Sequence, residues 1–550
     1  MRWQVVIAVL AVIAILALTG YTALHTTTTV VPDYGGTYVE GVAGEPRYVN
    51  PLLSTYNDVD RDLSALVFNG LTLADERGQI LPDLADRWEI STDNLSYTFH
   101  LRSDVRWHDG IPFTADDVVF TIDVLRAPDF PGQSQLAELW RMVKVERLDA
   151  YSVRFTLPEP FAPFLSYTTI GLLPAHPLQT VPVKALADHP FNLQPVGTGP
   201  FKVSEITSQQ ALLLANTDFY AGRPYLDKLQ FIFYPDDASV VAAYRQGAIH
   251  GFGVASEYLD AVLAEEKLKL YSAPLAGYAL VFLNLERPVF QEKQVRQALL
   301  WATDRQKIID QAMEGQAVVA SGPVLPFSWA YEPRTADYAY NPDKARSVLD
   351  AAGWKDGDGD GVREKGDLRL EFALLTNDDA QRVKVINELT RQWAEVGIHA
   401  VPQTAGVAGL VRDFLAPRNY DAIFYEWQRL PVDPDPYPQW HSTQSVGVGQ
   451  NYANYHNEQA DLIMEEARRA TDPARRASLY RDLQRILADD VPVLPLHHPV
   501  YNYAVDERVH EVQVGPMQDR PDRFRTITQW YIATKRVIVS EAPLWSRKAK

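Results

Sequence analysis

The chain of 550 residues contains no cysteine. Disulfide bridges, thiolate zinc sites and cysteine nucleophiles are therefore all excluded. Positive charge is also in short supply, because 70 acidic residues outnumber 52 lysines and arginines and leave a net charge of −18. That balance argues against nucleic acid and against an anionic membrane surface as partners. It says little about a ligand, since an acidic surface also keeps a secreted protein soluble.

Motifs of common catalytic sites are missing as well. The sequence has no HExxH helix, no G-x-S-x-G elbow and no P-loop. Asp433 and Asp435 are near neighbours, and such carboxylates rarely straddle a glycosidic bond. His497 and His498 are adjacent, so on a strand they point to opposite faces and are poorly placed to share a metal ion. The sequence therefore favours a binding protein over an enzyme.

Length and composition indicate a globular protein with more than one core. A hydrophobic content of 46% and an aromatic content of 11% are typical of folded chains. One hydrophobic core rarely supports 550 residues, so at least two lobes are expected. Between residues 341 and 427 helical and strand patterns alternate, which predicts a layered α/β lobe.

The amino-terminal segment predicts a membrane-directed helix. Arg2 precedes about twenty uncharged residues, from Val5 to Leu24. At about 1.5 Å per residue, a helix of that length can cross the ~30 Å hydrocarbon core of a bilayer. The segment is interpreted either as a cleaved signal peptide or as an uncleaved anchor. Residues 25–32 then form a short polar linker.

Residues 97–128 carry the clearest local signals. Alternating apolar side chains predict a half-buried strand over residues 97–101. Thr114 and Asp117 have the spacing of a short capping box, so a helix is expected to begin there. Ala127-Pro128 is expected to end it.

This stretch resembles the signature region of the family 5 solute-binding proteins, the extracytoplasmic receptors of peptide, oligosaccharide and nickel ABC importers. The likeness continues in GEPRYVNPL (44–52), LPDLADRWEIS (81–91), GTGPF (197–201) and VRQALLWATDR (295–305). It covers about residues 35–530, nearly the whole chain. The resemblance implies a two-lobed, periplasmic-binding-protein-like α/β fold with a cleft between the lobes and two crossover hinges. A single helix is expected from Val295 to Ala312, with Arg296 and Asp304 as structural residues.

The resemblance also implies a domain order: 1–32 as anchor or signal segment with linker, 33–282 as the first part of lobe I, 283–495 as an inserted lobe II, and 496–550 as the return to lobe I with a tail. Relatives carry a lipidated cysteine after a box similar to Leu18 to Gly20, but here Tyr21 stands in that place. An uncleaved anchor on the extracytoplasmic face of the membrane is therefore expected. The alternative is a secreted or periplasmic protein after signal cleavage.

For the ligand site the resemblance points to a loop after a predicted strand, and to the segment after Asn50-Pro51. Trp427 matches a family tryptophan and is expected to form a stacking wall, with Arg429 as an anchor for a carboxylate or hydroxyl. The full candidate set is Tyr56, Asn57, Trp427, Arg429, Asp433, Asp435, Tyr437 and Trp440. Peptide-binding relatives hold the α-ammonium of the peptide on an aspartate at the position of Leu430. A buried ammonium without a carboxylate partner is costly, so oligopeptide and oligosaccharide both stay open as ligands.

A second motif, over residues 356–367, has the D-x-D-x-D-G pattern of a calcium loop. Its expected ligands are Asp356, Asp358, Asp360, Val362 and Asp367. The alternative is a solvated acidic turn. A calcium ion here would stabilise the structure. No cofactor is expected to be required for ligand binding.

Taken together, these features predict a non-enzymatic receptor, expected to be a monomer, that delivers a small solute to ABC permease subunits with cytoplasmic ATPases. Two rivals stay open. One is a sensor or docking protein on the same fold, which binds a membrane partner without feeding transport. The other is an envelope hydrolase, which requires a carboxylate pair facing each other across the cleft.

Overall fold

The computed structural model of the protein describes residues 2–335 and 338–538. The α-helices in this part of the chain are α1 (Arg2–Thr27), α2 (Asp58–Val67), α3 (Ala115–Arg126), α4 (Ser134–Met142), α5 (Phe164–Tyr167), α6 (Ala175–Leu178), α7 (Asp237–Arg245), α8 (Leu259–Leu263), α9 (Pro288–Gln291), α10 (Lys293–Trp301), α11 (Arg305–Ala312), α12 (Pro342–Ala351), α13 (Ala380–Ala394), α14 (Val407–Gly409), α15 (Tyr437–Trp440), α16 (Glu458–Arg469) and α17 (Pro473–Asp490).

The strands of the same residues are β1 (Thr28–Pro32), β2 (Thr37–Ala43), β3 (Thr72–Ala74), β4 (Ile80–Pro82), β5 (Ala85–Ile90), β6 (Ser96–Leu101), β7 (Lys144–Asp149), β8 (Ser152–Thr156), β9 (Phe201–Ile206), β10 (Gln210–Ala215), β11 (Lys228–Tyr234), β12 (Gly251–Val254), β13 (Leu268–Pro274), β14 (Gly277–Leu283), β15 (Ala317–Val319), β16 (Glu364–Lys365), β17 (Leu368–Arg369), β18 (Glu371–Asn377), β19 (His399–Ala405), β20 (Ala422–Gln428), β21 (Val493–Asp506) and β22 (Thr534–Ile538).

One large sheet connects most of the chain. Twelve strands belong to it, ten of them in the order β19-β18-β20-β14-β21-β12-β2-β11-β10-β9, while β13 and β15 also pair with β21. The first residues of β21 pair with β14, and its last residues pair with β12 and β13. β21 is therefore the strand that crosses from one half of the molecule to the other.

Two main hydrophobic cores lie on either side of this crossing. The buried side chains of the first, here called lobe I, come from residues 38–231 and 503–530. Those of the second, lobe II, come from residues 279–496. Two cores are what a chain of this length requires. The expected lobe boundaries at 282 and 495 lie close to these limits and stay a prediction.

The local signals in residues 97–128 are confirmed. β6 forms over the alternating segment, and Thr114 and Asp117 make both bonds of the capping box at the start of α3. The Asp117 carboxylate accepts the Thr114 N–H at 2.9 Å and the indole N–H of Trp107 at 3.2 Å. α3 ends at Arg126, directly before Ala127-Pro128.

The expected single helix from Val295 to Ala312 is wrong, because the chain forms α10 and α11 there. Asp304 accepts the N–H of Lys307 at 3.0 Å and so begins a new helix as its N-cap. Arg296 is buried and donates to four main-chain carbonyls. Both residues have structural roles, as expected.

The helix α1 leads directly into a two-stranded ribbon. β1 and β22 pair antiparallel, with Thr28 opposite Ile538 and Pro32 opposite Thr534. The ribbon thus joins two segments that are far apart in sequence. Across residues 2–335 and 338–538, no helix is both long enough and apolar enough to cross a membrane.

Candidate ligand-binding cleft

Both lobes direct the carboxyl ends of their parallel strands toward the same part of β21. In lobe I, β2 runs parallel to β11 and β12; in lobe II, β18 runs parallel to β19 and β20. Val254, at the end of β12, lies opposite Asn502, and Ala279 in β14 lies opposite His497. Ligands of open α/β sheets bind outside the carboxyl ends of parallel strands. The geometry therefore places the candidate cleft between the lobes, along residues 497–502.

The lobe I side of this cleft contains a cavity of about 550 Å³. The ends of β2 and β12 and the middle of β21 form part of its wall, through residues 41–43, 253–255 and 500–502. A cavity of this size suits a small solute or a peptide segment. The charged side chains that line it are Asp58, Asp62, Asp237, Glu257, Arg520 and Arg523.

Arg523 is the centre of a buried charge network below this cavity. Its guanidinium donates to both carboxylate oxygens of Asp62, at 2.8 and 2.5 Å, and to Glu40 at 3.0 Å. Tyr38 and Tyr503 each donate to Glu40 at 2.7 Å. Burial raises the pKa of Glu40, and the charge of Arg523 opposes that rise. The network fixes the floor of the cavity and neutralises Asp62.

Two other carboxylates of the cavity are not compensated in this way. Among the described residues, Asp237 and Glu257 make no ion pair, whereas Asp58 pairs with Arg61 and Arg520. Burial raises the pKa of Asp237, and the charge of Glu257 raises it further. The cavity wall therefore carries excess negative charge, which suits a cationic group on the ligand.

On the lobe II side, β20 carries the predicted aromatic wall. Trp427 is half-buried and packs edge-on against Tyr278 and Phe282, with ring centroids 5.4 and 5.2 Å apart. Glu426, one residue earlier, pairs with Arg382 at 2.9 Å. The tryptophan is thus held in one orientation by the lobe II core, next to the end of its strand.

Arg429 connects the two lobes directly. Its Nη1 donates to the carbonyl oxygen of Thr55 at 2.6 Å. Its backbone has φ +56°, a left-handed conformation that costs energy for a residue other than glycine and that occurs at functional sites. Burial raises the pKa of Asp58, but the charges of Arg520, Arg61 and Arg429 outweigh burial and lower it. The Arg429 side chain therefore reaches the charged rim of lobe I.

The predicted lobe I rim residues lie beside this contact. The side chain of Asn57 caps α2 by accepting the N–H of Val59 at 2.9 Å, and it donates to the carbonyl of Glu45 at 2.7 Å. Tyr56 ends a short helical turn just before it, and its side chain lies outside the part of the chain that the structure describes. The rim is thus ordered by backbone bonds.

The remaining loop residues of the candidate set make ion pairs and ring contacts within lobe II. Asp433 is buried and accepts two bonds from Arg476, at 2.7 and 2.8 Å. Burial raises the pKa of Asp433, and Arg476 opposes that rise. Asp435 pairs with Arg468 at 2.8 Å. Both carboxylates hold the loop after β20 against α16 and α17.

The two aromatic residues of α15 also pack internally. Tyr437 stacks on His441 with ring centroids 4.0 Å apart, and the guanidinium of Arg468 lies 3.9 Å from its ring centroid. Trp440 is only 1% exposed. Arg429 thus reaches lobe I from the end of β20, whereas Asp433, Asp435 and Trp440 line a smaller cavity that also includes Leu430 and Gln518. The role of each residue in ligand binding stays a prediction.

Two buried histidines lie at the crossing itself. His498 Nδ1 is 2.9 Å from the carbonyl oxygen of Gly277, and both His497 and His498 are at most 2% exposed. Burial, with a smaller contribution from His498, lowers the pKa of His497 to about 4. Burial also lowers the pKa of His498. Both rings are therefore neutral near pH 7, and the crossing strand carries no net charge from them.

The calcium-like loop brings three carboxylates together. Oxygen atoms of Asp356, Asp358 and Glu364 lie within 4.8 Å of one another. Glu364 was not among the residues expected from the sequence, and Asp367 is not a member of this group. Asp360 pairs with Arg369 at 2.7 Å, and its carboxylate accepts the N–H of Val362. Hard oxygen ligands at this spacing suit calcium.

Comparison with known proteins gives a consistent result. The model of the family described as bacterial extracellular solute-binding proteins, family 5 Middle, matches residues 79–447. The oligopeptide-binding protein AppA of Bacillus subtilis is 32% identical over 512 residues, which cover 91% of this chain and 92% of that protein. The di/tripeptide-binding protein 1 of Pseudomonas aeruginosa is 28% identical, over 86% of this chain and 91% of that protein.

Solved structures agree in fold. AppA of Bacillus subtilis in complex with a nonapeptide has a TM-score of 0.68 at 31% identity, over 92% of this chain and all of that one. NikZ of Campylobacter jejuni in complex with Ni(L-His) has a TM-score of 0.70 at 28% identity, over 90% of this chain and 99% of that one. These matches confirm the two-lobed α/β fold. The chain belongs to the bacterial extracellular solute-binding proteins of family 5.

Proposed function

We propose that the protein is the substrate-binding component of an ABC importer and that it captures an oligopeptide between its lobes. The observation that carries this proposal is the cleft, with a cavity of about 550 Å³ on lobe I and Arg429 of lobe II bonded across it. The Bacillus subtilis relative is named for oligopeptide binding, and its solved structure holds a nonapeptide. Closure at the hinges buries the ligand and presents a combined surface of both lobes to the permease.

In this proposal the ligand contacts come from both walls. Trp427 supplies an apolar face, Arg429 closes the rim, and Tyr56 and Asn57 form the opposite edge. Asp433, Asp435, Tyr437 and Trp440 act indirectly, because their contacts with Arg476, Arg468 and the lobe II core hold the loop that presents Arg429.

The positive group of the ligand binds on lobe I. Leu430 offers no carboxylate on lobe II, whereas Asp237 and Glu257 line the lobe I cavity without an ion-pair partner in the described chain. An ammonium group that enters this cavity gains a partner that the loop after β20 does not provide. A peptide therefore binds with its cationic group against α7 and the end of β12.

Binding is the whole activity in this proposal, and the ligand leaves chemically unchanged. Family 5 proteins bind solutes, and the cleft needs no resident cofactor to do so. Mass spectrometry of a peptide incubated with the protein tests this directly. The peptide is expected to be recovered intact, and cleavage products would support the hydrolase alternative.

We expect nonapeptides with a free amino terminus to stabilise the full-length protein, while maltooligosaccharides do not. At one hundred times its dissociation constant, a ligand adds about 2.7 kcal/mol, which thermal-shift measurements detect readily. The double substitution Asp237→Asn with Glu257→Gln should weaken binding of the free-amine peptides about tenfold or more, because the ammonium loses its partners. Binding of amino-terminally acetylated peptides should change little.

The matched control is Asp260→Asn with Glu266→Gln. These residues are exposed and lie near α8, and their substitution changes the net charge by the same amount. Equal loss of affinity in this control would show a general charge effect and contradict the assignment. A sugar that binds in place of peptides would establish the oligosaccharide alternative.

We also propose that calcium stabilises the loop of residues 356–367. Calcium at ten times its dissociation constant should add about 1.4 kcal/mol to the free energy of unfolding, and a chelator should remove that gain. The double substitution Asp356→Asn with Glu364→Gln should abolish the effect, measured by thermal shift. A wild-type protein that is insensitive to calcium would leave the loop as a solvated acidic turn.

We propose, finally, that α1 holds the protein at the extracytoplasmic face of the membrane. Its sequence has no acidic residue in the first turn, and apolar side chains such as Ile7 and Leu10 are about 60% exposed. Such side chains require an apolar partner. The protein is expected in the membrane fraction of cells and to be released when residues 2–24 are deleted. Cleavage of the wild-type chain near Tyr21, with release of the rest of the protein from the membrane, would establish the secreted alternative.

A further inference from the structure

A second cavity, also of about 550 Å³, lies in lobe I against another face of α2. Asp58 and Asp62 of this helix line the cavity described above, whereas Arg61, Ser64 and Ala65 line the second one. Neighbouring positions on a helix point in different directions, so α2 lies between the two cavities. The second cavity is as large as the first, and the ligand contacts proposed so far leave it unused.

Most of the wall of this second cavity is apolar. The apolar side chains that line it include Phe68, Leu73, Phe219, Phe524 and Ile527. Walls of aromatic and aliphatic side chains with a few polar groups are typical of sites that bind small molecules. The wall therefore favours a bulky apolar group on the ligand.

The charged side chains of the second cavity already have partners inside the protein. Arg61 pairs with Asp519 at 2.7 Å, and Arg525 pairs with Asp522 at 3.1 Å. The remaining charged side chain on the wall, Asp83, is buried and accepts hydrogen bonds from two other side chains. A charged group on the ligand would have to compete with these partners, so the cavity favours a neutral group.

Two polar atoms on this wall lack partners. Within residues 2–335 and 338–538, neither Ser64 Oγ nor Gln518 Oε1 has a hydrogen-bond partner. Ser64 is 5% exposed, and its hydroxyl does not bond to the carbonyl oxygen of Asp60, four residues earlier, as serines inside helices often do. A buried polar atom without a partner is costly. A ligand that offers a hydrogen-bonding group to these two atoms is therefore favoured.

Val432 and Gln518 connect the second cavity with the loop after β20. Both residues line it, and both also line the smaller cavity beside Leu430 and Asp433. Val432 belongs to lobe II, whereas α2 and the strands around the cavity belong to lobe I. A Cβ at Gly78, in the turn between β3 and β4, would lie 2.9 Å from the carbonyl oxygen of Val432, so the loop lies directly on lobe I. The second cavity thus adjoins the interface between the lobes.

We propose that the second cavity binds the side chain of a tyrosine in the captured peptide. The inference rests on the proposed function and deepens it, because it assigns a sequence preference to the ligand. The apolar wall receives the ring, and the phenol group, which both donates and accepts hydrogen bonds, supplies a partner to Ser64 and Gln518. Asp237 and Glu257 line the other cavity, so this tyrosine is not the first residue of the peptide.

Calorimetry of the full-length protein with nonapeptides of alanine and serine tests the preference. A single tyrosine is placed at each position from the second to the ninth, and phenylalanine is placed at the same position for comparison. We expect one position at which tyrosine raises the affinity about tenfold or more over the peptide without an aromatic residue. Phenylalanine at that position should gain less, because it leaves the two polar atoms unpaired.

Substitutions in the wall test whether the second cavity is responsible. Ala65→Trp fills the cavity and should remove the difference in affinity between the tyrosine peptide and the peptide without an aromatic residue. Ala351→Trp is the matched control and should retain that difference, because Ala351 is also an exposed helical alanine but does not line the cavity. Ser64→Ala with Gln518→Leu should make the tyrosine and phenylalanine peptides bind equally.

The outcomes separate this inference from the proposed function. If no nonapeptide binds the wild-type protein, the proposed function fails and the tyrosine site fails with it. If nonapeptides bind but tyrosine gives no gain at any position, or if Ala65→Trp keeps the gain, the tyrosine site is overturned while capture of peptides stands.

Discussion

Replacing Arg523 with methionine is expected to lower the free energy of unfolding by about 3–5 kcal/mol. The melting temperature of lobe I should fall by on the order of 10 °C. The guanidinium is 1% exposed and is the positive partner of both Asp62 and Glu40. Without it, two carboxylates stay buried below the cavity with no positive charge beside them. Thermal and urea unfolding of the full-length protein measure the loss.

The pH dependence of the stability of Arg523→Met shows whether unpaired buried carboxylates cause the loss. Burial raises the pKa of Glu40 and the Arg523 charge opposes that rise, so removal of Arg523 raises the pKa further. The folded variant then binds a proton more readily than the unfolded chain does, and its deficit against wild type should shrink as the pH falls from about 7 to about 5.

Arg525→Met is the matched control for this prediction. Arg525 lies two residues away and pairs with Asp522 at 3.1 Å, but both side chains are more than a quarter exposed. Such a pair contributes about 0–1 kcal/mol, so little change is expected. A deficit in Arg523→Met that matches the control, or that is the same at both pH values, would contradict a buried charge network.

Replacing Asp433 with alanine is expected to cost a similar 3–5 kcal/mol, because Arg476 would remain buried without its carboxylate. The double variant Asp433→Leu with Arg476→Met should lose much less than the sum of the two single changes. Affinity of the folded protein for nonapeptides should fall less than about threefold, since both carboxylate oxygens are already bonded to Arg476.

Asp413→Ala is the control for this pair. Asp413 also binds an arginine, Arg412 at 2.7 Å, but the two side chains are 49% and 75% exposed. Its loss should be hardly measurable in unfolding experiments. If Asp433→Ala kept the stability of wild type and abolished peptide binding, Asp433 would be a ligand contact, as the resemblance to the family implied.

Sequence reasoning succeeded where neighbouring residues determine the structure. The capping box of Thr114 and Asp117 is formed by residues three apart, and the structure confirms it. The prediction of a single helix over residues 295–312 was wrong, because the apolar spacing fits two helices as well as one. In the structure Asp304 accepts the N–H of Lys307 and begins a second helix. Aspartate favours such a cap over a position inside a helix.

The candidate site shows more clearly what local sequence patterns cannot predict, namely contacts between residues far apart in the chain. Asp433 stands in a loop that resembles the family's ligand loop, but Arg476 neutralises it from 43 positions away. Arg523 and Glu40 are 483 positions apart, and nothing local in the sequence marks either as part of a cavity floor. Asp237 and Glu257 were missed for the same reason. Trp427 and Arg429 were proposed because the loop after a predicted strand resembles the family's ligand loop, and their role in binding stays a prediction.

The central claim is that one peptide contacts both lobes at once. Hydrogen exchange of the full-length protein, with and without a saturating pool of nonapeptides, tests it most directly. We predict slower exchange in residues 41–43 and 253–255 of lobe I together with residues 427–429 of lobe II, because closure buries all three segments. Protection confined to one lobe, or no protection at saturating peptide, would contradict capture between the lobes.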